Sequence, residues 1–171
     1  PGRPAAAPVS ATCREPRSLP GAPLPTLDRL ALEAVRARTD LGLGVPQDVA
    51  VVDTGGHLKA HVRMDNANIG SIYISINKAY TSIAFQCQTK DLTDITRVDQ
   101  DLYGLNDAHG GRLVVFPGGI PLVRDGRIVG AIGVSTGTIE EDQAVAEAGA
   151  AALAGEVTDI RKIAASAGGV R

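Results

Sequence analysis

The sequence predicts an α+β domain: an antiparallel sheet of about five strands covered by helices. Three observations lead there. Short apolar segments flank tight turns at Asp53-Thr54-Gly55-Gly56 and Asp125-Gly126, the pattern of two hairpins. Helical spacing of apolar residues appears before the first hairpin, between the hairpins and after the second. The strands also cluster instead of alternating singly with helices, which argues against a doubly wound parallel sheet.

Taken in order, residues 1–25 hold seven prolines and no sustained periodicity, so they read as a Pro/Ala-rich tail or arm. The folded domain is expected over 26–155. Thr26 is a candidate cap for a helix over 27–39, with Leu27, Leu30, Ala31, Ala34 and Val35 as its apolar stripe. Gly42, Gly44 and Pro46 break it. Val49-Ala50-Val51-Val52 is apolar on both faces, as in an interior strand. His57 to Val62 alternates, with Leu58, Ala60 and Val62 on one face and His57, Lys59 and His61 on the other. A second helix starts near Ser71, with Ile72, Ile76, Ala79, Ile83 and Ala84 at helical spacing. A short helix over 90–97 and an irregular loop follow. Arg112 to Phe116 reads as a third strand, and Ile120–Val123 with Arg127–Val134 as the second hairpin. Thr138-Ile139-Glu140-Glu141 matches a capping box opening the last helix. Residues 156–171 read as a frayed helix or tail.

Composition excludes several function classes. At 171 residues the chain suits one domain with a real core, and its 44% apolar content is ordinary for a globular protein. A net charge of −2 gives no broad footprint for nucleic acid or an anionic membrane. With three Tyr, two Phe and no Trp, a base-stacking platform is not expected. No apolar run approaches the ~20 residues that span a membrane. Cys13 and Cys87 sit in no C-x-x-C or C-x-x-C-H context, so neither a zinc knuckle nor covalent haem attachment is expected. Without a hydrophobic signal core in 1–25, a cytoplasmic location is the expectation, and secretion stays open because the native N-terminus is unclear.

Several blocks closely resemble the GlcG/HbpS-like family, also met as a domain of some cobalamin adenosyltransferases of the PduO type. They are Ala50-Val51-Val52-Asp53-Thr54-Gly55-Gly56-His57-Leu58, Arg63-Met64-Asp65, Lys78-Ala79-Tyr80-Thr81, His109-Gly110-Gly111-Arg112-Leu113, Phe116-Pro117-Gly118-Gly119-Ile120-Pro121-Leu122, and Val129 to Ser135. The resemblance spans 27–154. It implies a profilin-like sheet, homo-oligomers often built from dimers into octamers, and haem binding in some members. Two positions depart from the family pattern: Thr136 replaces a glycine after the last strand, and Glu141 replaces a Gln before Asp142.

Individual residues then take provisional roles. His57 and His61, about 13 Å apart along a strand, cannot share one metal ion. His109 lies beside Gly110 and Gly111, where backbone can approach a ligand, and its imidazole would serve as a haem-iron ligand or proton shuttle. Arg63 and Arg112 would fork onto carboxylates such as propionates, although Arg63 pairing with Asp65 is the plainer expectation. Lys78 is a cation or, if desolvated, a general base; such a lysine more commonly snorkels to solvent. Gly118 and Gly119 would let a ligand approach the backbone. Glu141 is better explained as a cap, with acid–base work by Glu140 or Glu141 as the lesser reading. The sequence thus predicts a non-covalent haem or tetrapyrrole binder. The alternative is a lyase, isomerase or cyclase using Arg63, Asp65, Lys78, Tyr103, His109 and Glu141, and a partner module with a vestigial site is a third reading.

Overall fold

The computed structural model describes residues 24–154. The tails expected over 156–171 and most of 1–25, with Cys13, lie outside the described residues. The elements are α1 (Leu24–Asp40), β1 (Asp48–Asp53), β2 (Leu58–Arg63), α2 (Ile69–Phe85), two 3-10 turns (Thr89–Leu92 and Leu105–Asp107), a distorted helical turn α3 (Ala108–Gly111), β3 (Gly119–Arg124), β4 (Arg127–Ser135) and α4 (Ile139–Ala154). The four strands form one antiparallel sheet in the order β2-β1-β4-β3. The α+β class is as expected, with four strands in place of about five.

The missing strand is 112–116. Its backbone is engaged by side chains and not by a neighbouring strand: Val114 N–H donates to Thr81 Oγ1 at 2.9 Å, and Thr93 Oγ1 donates to the Val115 carbonyl at 2.9 Å. The segment therefore runs beside α2, and the chain enters the sheet only at Gly119. α1 begins earlier than expected, at Leu24. Thr26 falls inside the first turn and so is not the cap; Pro25 there loses no helical hydrogen bond, because the first N–H groups have no partner in the helix.

α1 and α4 cover one face of the sheet. Leu27, Leu30, Ala31 and Ala34 of α1 and Val145, Ala146 and Leu153 of α4 join Val49, Val51, Leu122, Ile132 and Val134 in the main core. The opposite face holds α2, where Ala79 and Ile83 meet Val52 and Ala131. The expected apolar stripe of α2 is only half correct. Its inward face is small and polar: Ser71, Ser75, Lys78 and Ser82 are buried beside Ala79, while Ile72 and Ile76 are partly exposed and Ala84 is exposed. The reason is a close approach of helix to sheet. A Cβ on Gly133 would overlap the Ser75 carbonyl and lie 2.6 Å from Ala79 N, so β4 must carry glycine there and α2 must carry small residues. Ser75, Thr81 and Ser82 satisfy their hydroxyls on the Ile72, Asn77 and Cys87 carbonyls. The β3–β4 turn has positive φ at both Asp125 and Gly126, 51° and 73°, which matches the twist of an antiparallel hairpin.

Candidate functional site

His109 is exposed, and the backbone around it is unusual. His109, Gly110 and Gly111 have φ values of 53°, 70° and 77°, three successive left-handed residues. A Cβ on Gly110 or Gly111 would meet nothing within 4 Å, so these glycines set the path of the chain and are not needed for close packing. That path brings His109 Nδ1 within 3.0 Å of the Tyr80 hydroxyl on α2, with the two rings tilted and 6.0 Å apart. The Arg112 guanidinium stacks over the same Tyr80 ring, 3.4 Å from its centroid, and Arg112 Nε donates to Asn77 Oδ1 at 3.3 Å. His109 and Arg112, both singled out in the sequence, thus meet at Tyr80. From this cluster a stripe of partly exposed residues runs back along α2. Ile69 and Tyr73 are 76% and 73% exposed, and with Ile76 and Tyr80 they share one face of the helix.

Lys78 goes the other way. Instead of snorkelling to solvent it is fully buried, donating to Asp142 Oδ2 at 2.6 Å and to the Val134 carbonyl at 2.7 Å, with the Phe116 ring 4.9 Å from its Nζ. Gly118 makes room for it, since a Cβ there would lie 2.7 Å from Lys78 Nζ. Asp142 Oδ1 in turn accepts from Gly137 N–H at 2.9 Å. Burial pushes the Asp142 carboxyl up to about 6, despite its cationic neighbour, and the same burial lowers Lys78. This pair ties α2 to the start of α4 beneath the 116–119 turn.

The remaining candidates are dispersed. Glu141 forms the expected capping box: its Oε2 accepts from Thr138 N–H at 2.8 Å, and its own N–H donates to Thr138 Oγ1 at 3.2 Å. Gly118 and Gly119 have their N–H groups engaged by Gln143 Oε1 and Thr89 Oγ1, so neither offers a free donor to a ligand. The Arg63 guanidinium donates to the Ala67 carbonyl, and the expected Arg63–Asp65 pairing is not formed. Asp65, Tyr103 and Glu140 are exposed. Of the six polar residues of the enzyme reading, only Lys78 and Glu141 are drawn to a common region, at the start of α4, and both are occupied there. Sequence reasoning missed Asn77, Tyr80 and the partnership of Asp142 with Lys78. Asn77 and Tyr80 lie three apart on one face of α2 and were detectable by spacing. Asp142 was not, because its contact spans 64 residues.

The His109 cluster suits a haem. Metal-binding imidazoles commonly have their second nitrogen held by an outer hydrogen bond, as Tyr80 holds Nδ1, leaving Nε2 for iron. Arg112 presents a fork for a carboxylate, and the α2 stripe offers apolar surface. No group of three or more His, Cys, Asp or Glu that could hold a bare metal ion occurs among the described residues. Nor is any described helix long and apolar enough to cross a membrane.

Known proteins sharpen this picture. A Citrobacter freundii protein, described as an uncharacterized 15.0 kDa protein in the dhaT-dhaS intergenic region, is 42% identical over 115 residues, covering 67% of this chain and 80% of its own. The solved structure of Klebsiella pneumoniae protein ORFY superposes with a TM-score of 0.75 at 30% identity, over 82% of this chain and 95% of that one. A structure described as a PduOC:heme complex gives a TM-score of 0.72 at 33% identity, over 77% and 94%. The family model described as haem-degrading protein HbpS-like matches residues 24–151, most of the chain and nearly all of the described residues, and the chain therefore belongs to the GlcG/HbpS-like family.

Proposed function

We propose that this protein binds haem, or a closely related tetrapyrrole, non-covalently. The observation that carries the reading is the His109–Tyr80–Arg112 cluster at the end of the α2 stripe, in a chain similar to a protein solved as a haem complex. In this reading His109 Nε2 meets the iron, and Tyr80 holds the ring. Arg112, braced by Asn77, meets a propionate. Ile69, Tyr73 and Ile76 supply apolar wall. Bound haem would bring redox and dioxygen chemistry, while the chain's own residues bind it, orient it and limit access of water. A dimer-based homo-oligomer belongs to the same proposal, with the haem seated in a cleft between the α2 stripe, where Ile69 and Tyr73 are exposed, and a second copy.

The test is a hemin titration followed by optical absorption, with His109→Ala and Arg112→Ala alongside. Saturable binding with a shifted Soret band is expected, and the band should move in His109→Ala. Arg112→Ala should weaken affinity about tenfold, the loss of one charge-assisted contact of about 1.5 kcal/mol, and leave the band in place. Absence of saturable binding refutes the haem reading. Binding that ignores both variants refutes the assignment of these residues.

A further inference from the structure

A second chemical group lies outside this cluster, at the far end of β1. Asp48 is fully buried. Its Oδ2 accepts from the Thr136 hydroxyl at 3.1 Å, and its Oδ1 lies 3.3 Å from His61 Nε2 on the edge strand β2. Both atoms are shut off from solvent and neither completes a hydrogen bond, not even with the other, so the contact between them is a close electrostatic one. At that separation a bare Nε2 would set its lone pair against the carboxylate, so the imidazole proton belongs on Nε2 and Nδ1 is left as the basic nitrogen. The His61 side chain keeps 18% of its exposure, and because Nε2 is inaccessible, that exposure belongs to the rest of the side chain.

Thr136 supports the arrangement at a cost. A β-branched residue with φ of 111° is strained, and strain of this kind persists where surrounding contacts over-determine it. Its hydroxyl holds the face of Asp48 opposite His61. Burial raises the Asp48 carboxyl, and the Thr136 hydroxyl opposes that rise first, with the Arg63 cation on β2 adding to that opposition. A buried carboxylate set beside one nitrogen of a partly exposed imidazole biases which nitrogen carries the proton, and so can orient a histidine as a base.

We propose that Asp48, His61 and Thr136 form a carboxylate-backed imidazole site, in which His61 Nδ1 accepts a proton or hydrogen bond from a small ligand bearing a hydroxyl, thiol or ammonium group. The site is separate from the haem reading and stands or falls without it.

Two measurements on the whole chain test it. Long-range proton–nitrogen correlation spectra of the nitrogen-15-labelled protein report the tautomer of each neutral imidazole. His61 is expected as the Nε2–H form, with the Nδ1–H form gaining population in Asp48→Asn. Diethyl pyrocarbonate, which acylates a basic imidazole nitrogen, provides the second readout. His61 should react in the wild type and react several-fold more slowly in Asp48→Asn, with His57 as the internal reference. The wild-type tautomer needs no variant to fold, so it decides first. An Nδ1–H wild-type His61 overturns the proposal. So does a His61 that diethyl pyrocarbonate does not modify, or one that Asp48→Asn leaves unchanged in rate.

Discussion

Replacing Lys78 by Met separates the two parts of a buried ion pair. The first part is the hydrogen bond to Val134. Without Nζ, that carbonyl loses its 2.7 Å donor, and a buried acceptor left unpaired costs about 1–3 kcal/mol. The second part is electrostatic. Asp142 sits at about 6 with Lys78 beside it, against an ordinary 3.8, because burial outweighs the cation. Removing the cation raises it further, so more of the variant's carboxyl is protonated in the fold at pH 7. This part of the loss is on the order of 1 kcal/mol. The expected loss at pH 7 is therefore about 2–4 kcal/mol, a large share of the ~5–15 kcal/mol that holds a domain together.

The pH dependence identifies the cause. A folded-state value above the unfolded one means that the fold binds the proton more tightly. Asp142's contribution to stability is complete below 3.8 and is lost as the pH rises through about 6. At pH 5 the carboxyl is protonated in both proteins when folded, so its part of the gap vanishes and the rest is the orphaned carbonyl, less the cost of burying the Lys78 charge that the variant no longer bears. Urea unfolding of wild type and Lys78→Met at pH 7 and pH 5 should show the gap between them narrowing by roughly 1 kcal/mol at the lower pH. A gap independent of pH, or one below about 1 kcal/mol at pH 7, would refute the reasoning.

Two further outcomes follow from the geometry. Glu141→Ala removes half of the capping box and should cost about 0.5–2 kcal/mol in chemical denaturation, while hemin affinity stays at the wild-type value. A changed affinity would return Glu141 to the ligand site. Gly133→Ala would place a methyl group against the Ser75 carbonyl and 2.6 Å from Ala79 N, both backbone atoms of α2. The helix would have to lift off the sheet, and the loss expected is about 3 kcal/mol or more, read as a lowered midpoint of urea unfolding. A variant as stable as wild type would show that α2 is not seated on β4 as described.

The local order of the chain was legible in its residues because it depends on near neighbours. The α1 stripe at Leu27, Leu30, Ala31 and Ala34, the two hairpins and the Thr138–Glu141 box all arise within a few positions, and all stand in the fold. Spaced motif blocks likewise pointed to the family. Segment 112–116 was misread because its apolar run has strand character, while its hydrogen bonds go to Thr81 and Thr93, 33 and 22 residues away. The inward face of α2 was misread because an apolar pattern predicts burial without saying how near the sheet lies; the glycine at 133 forces small polar residues inward and leaves Ile69 and Tyr73 outside. The charged residues depended most on tertiary structure. Nothing local tells Lys78 that Asp142 waits 64 residues on, or His109 that Tyr80 lies 29 residues back. The sequence by itself determined the class and most of the element order, through short-range periodicity and caps, and pointed to the family through its spaced motif blocks. Which charges are buried, which are paired and which face a ligand was decided only by the tertiary structure, because burial and pairing are properties of groups that the fold alone brings together.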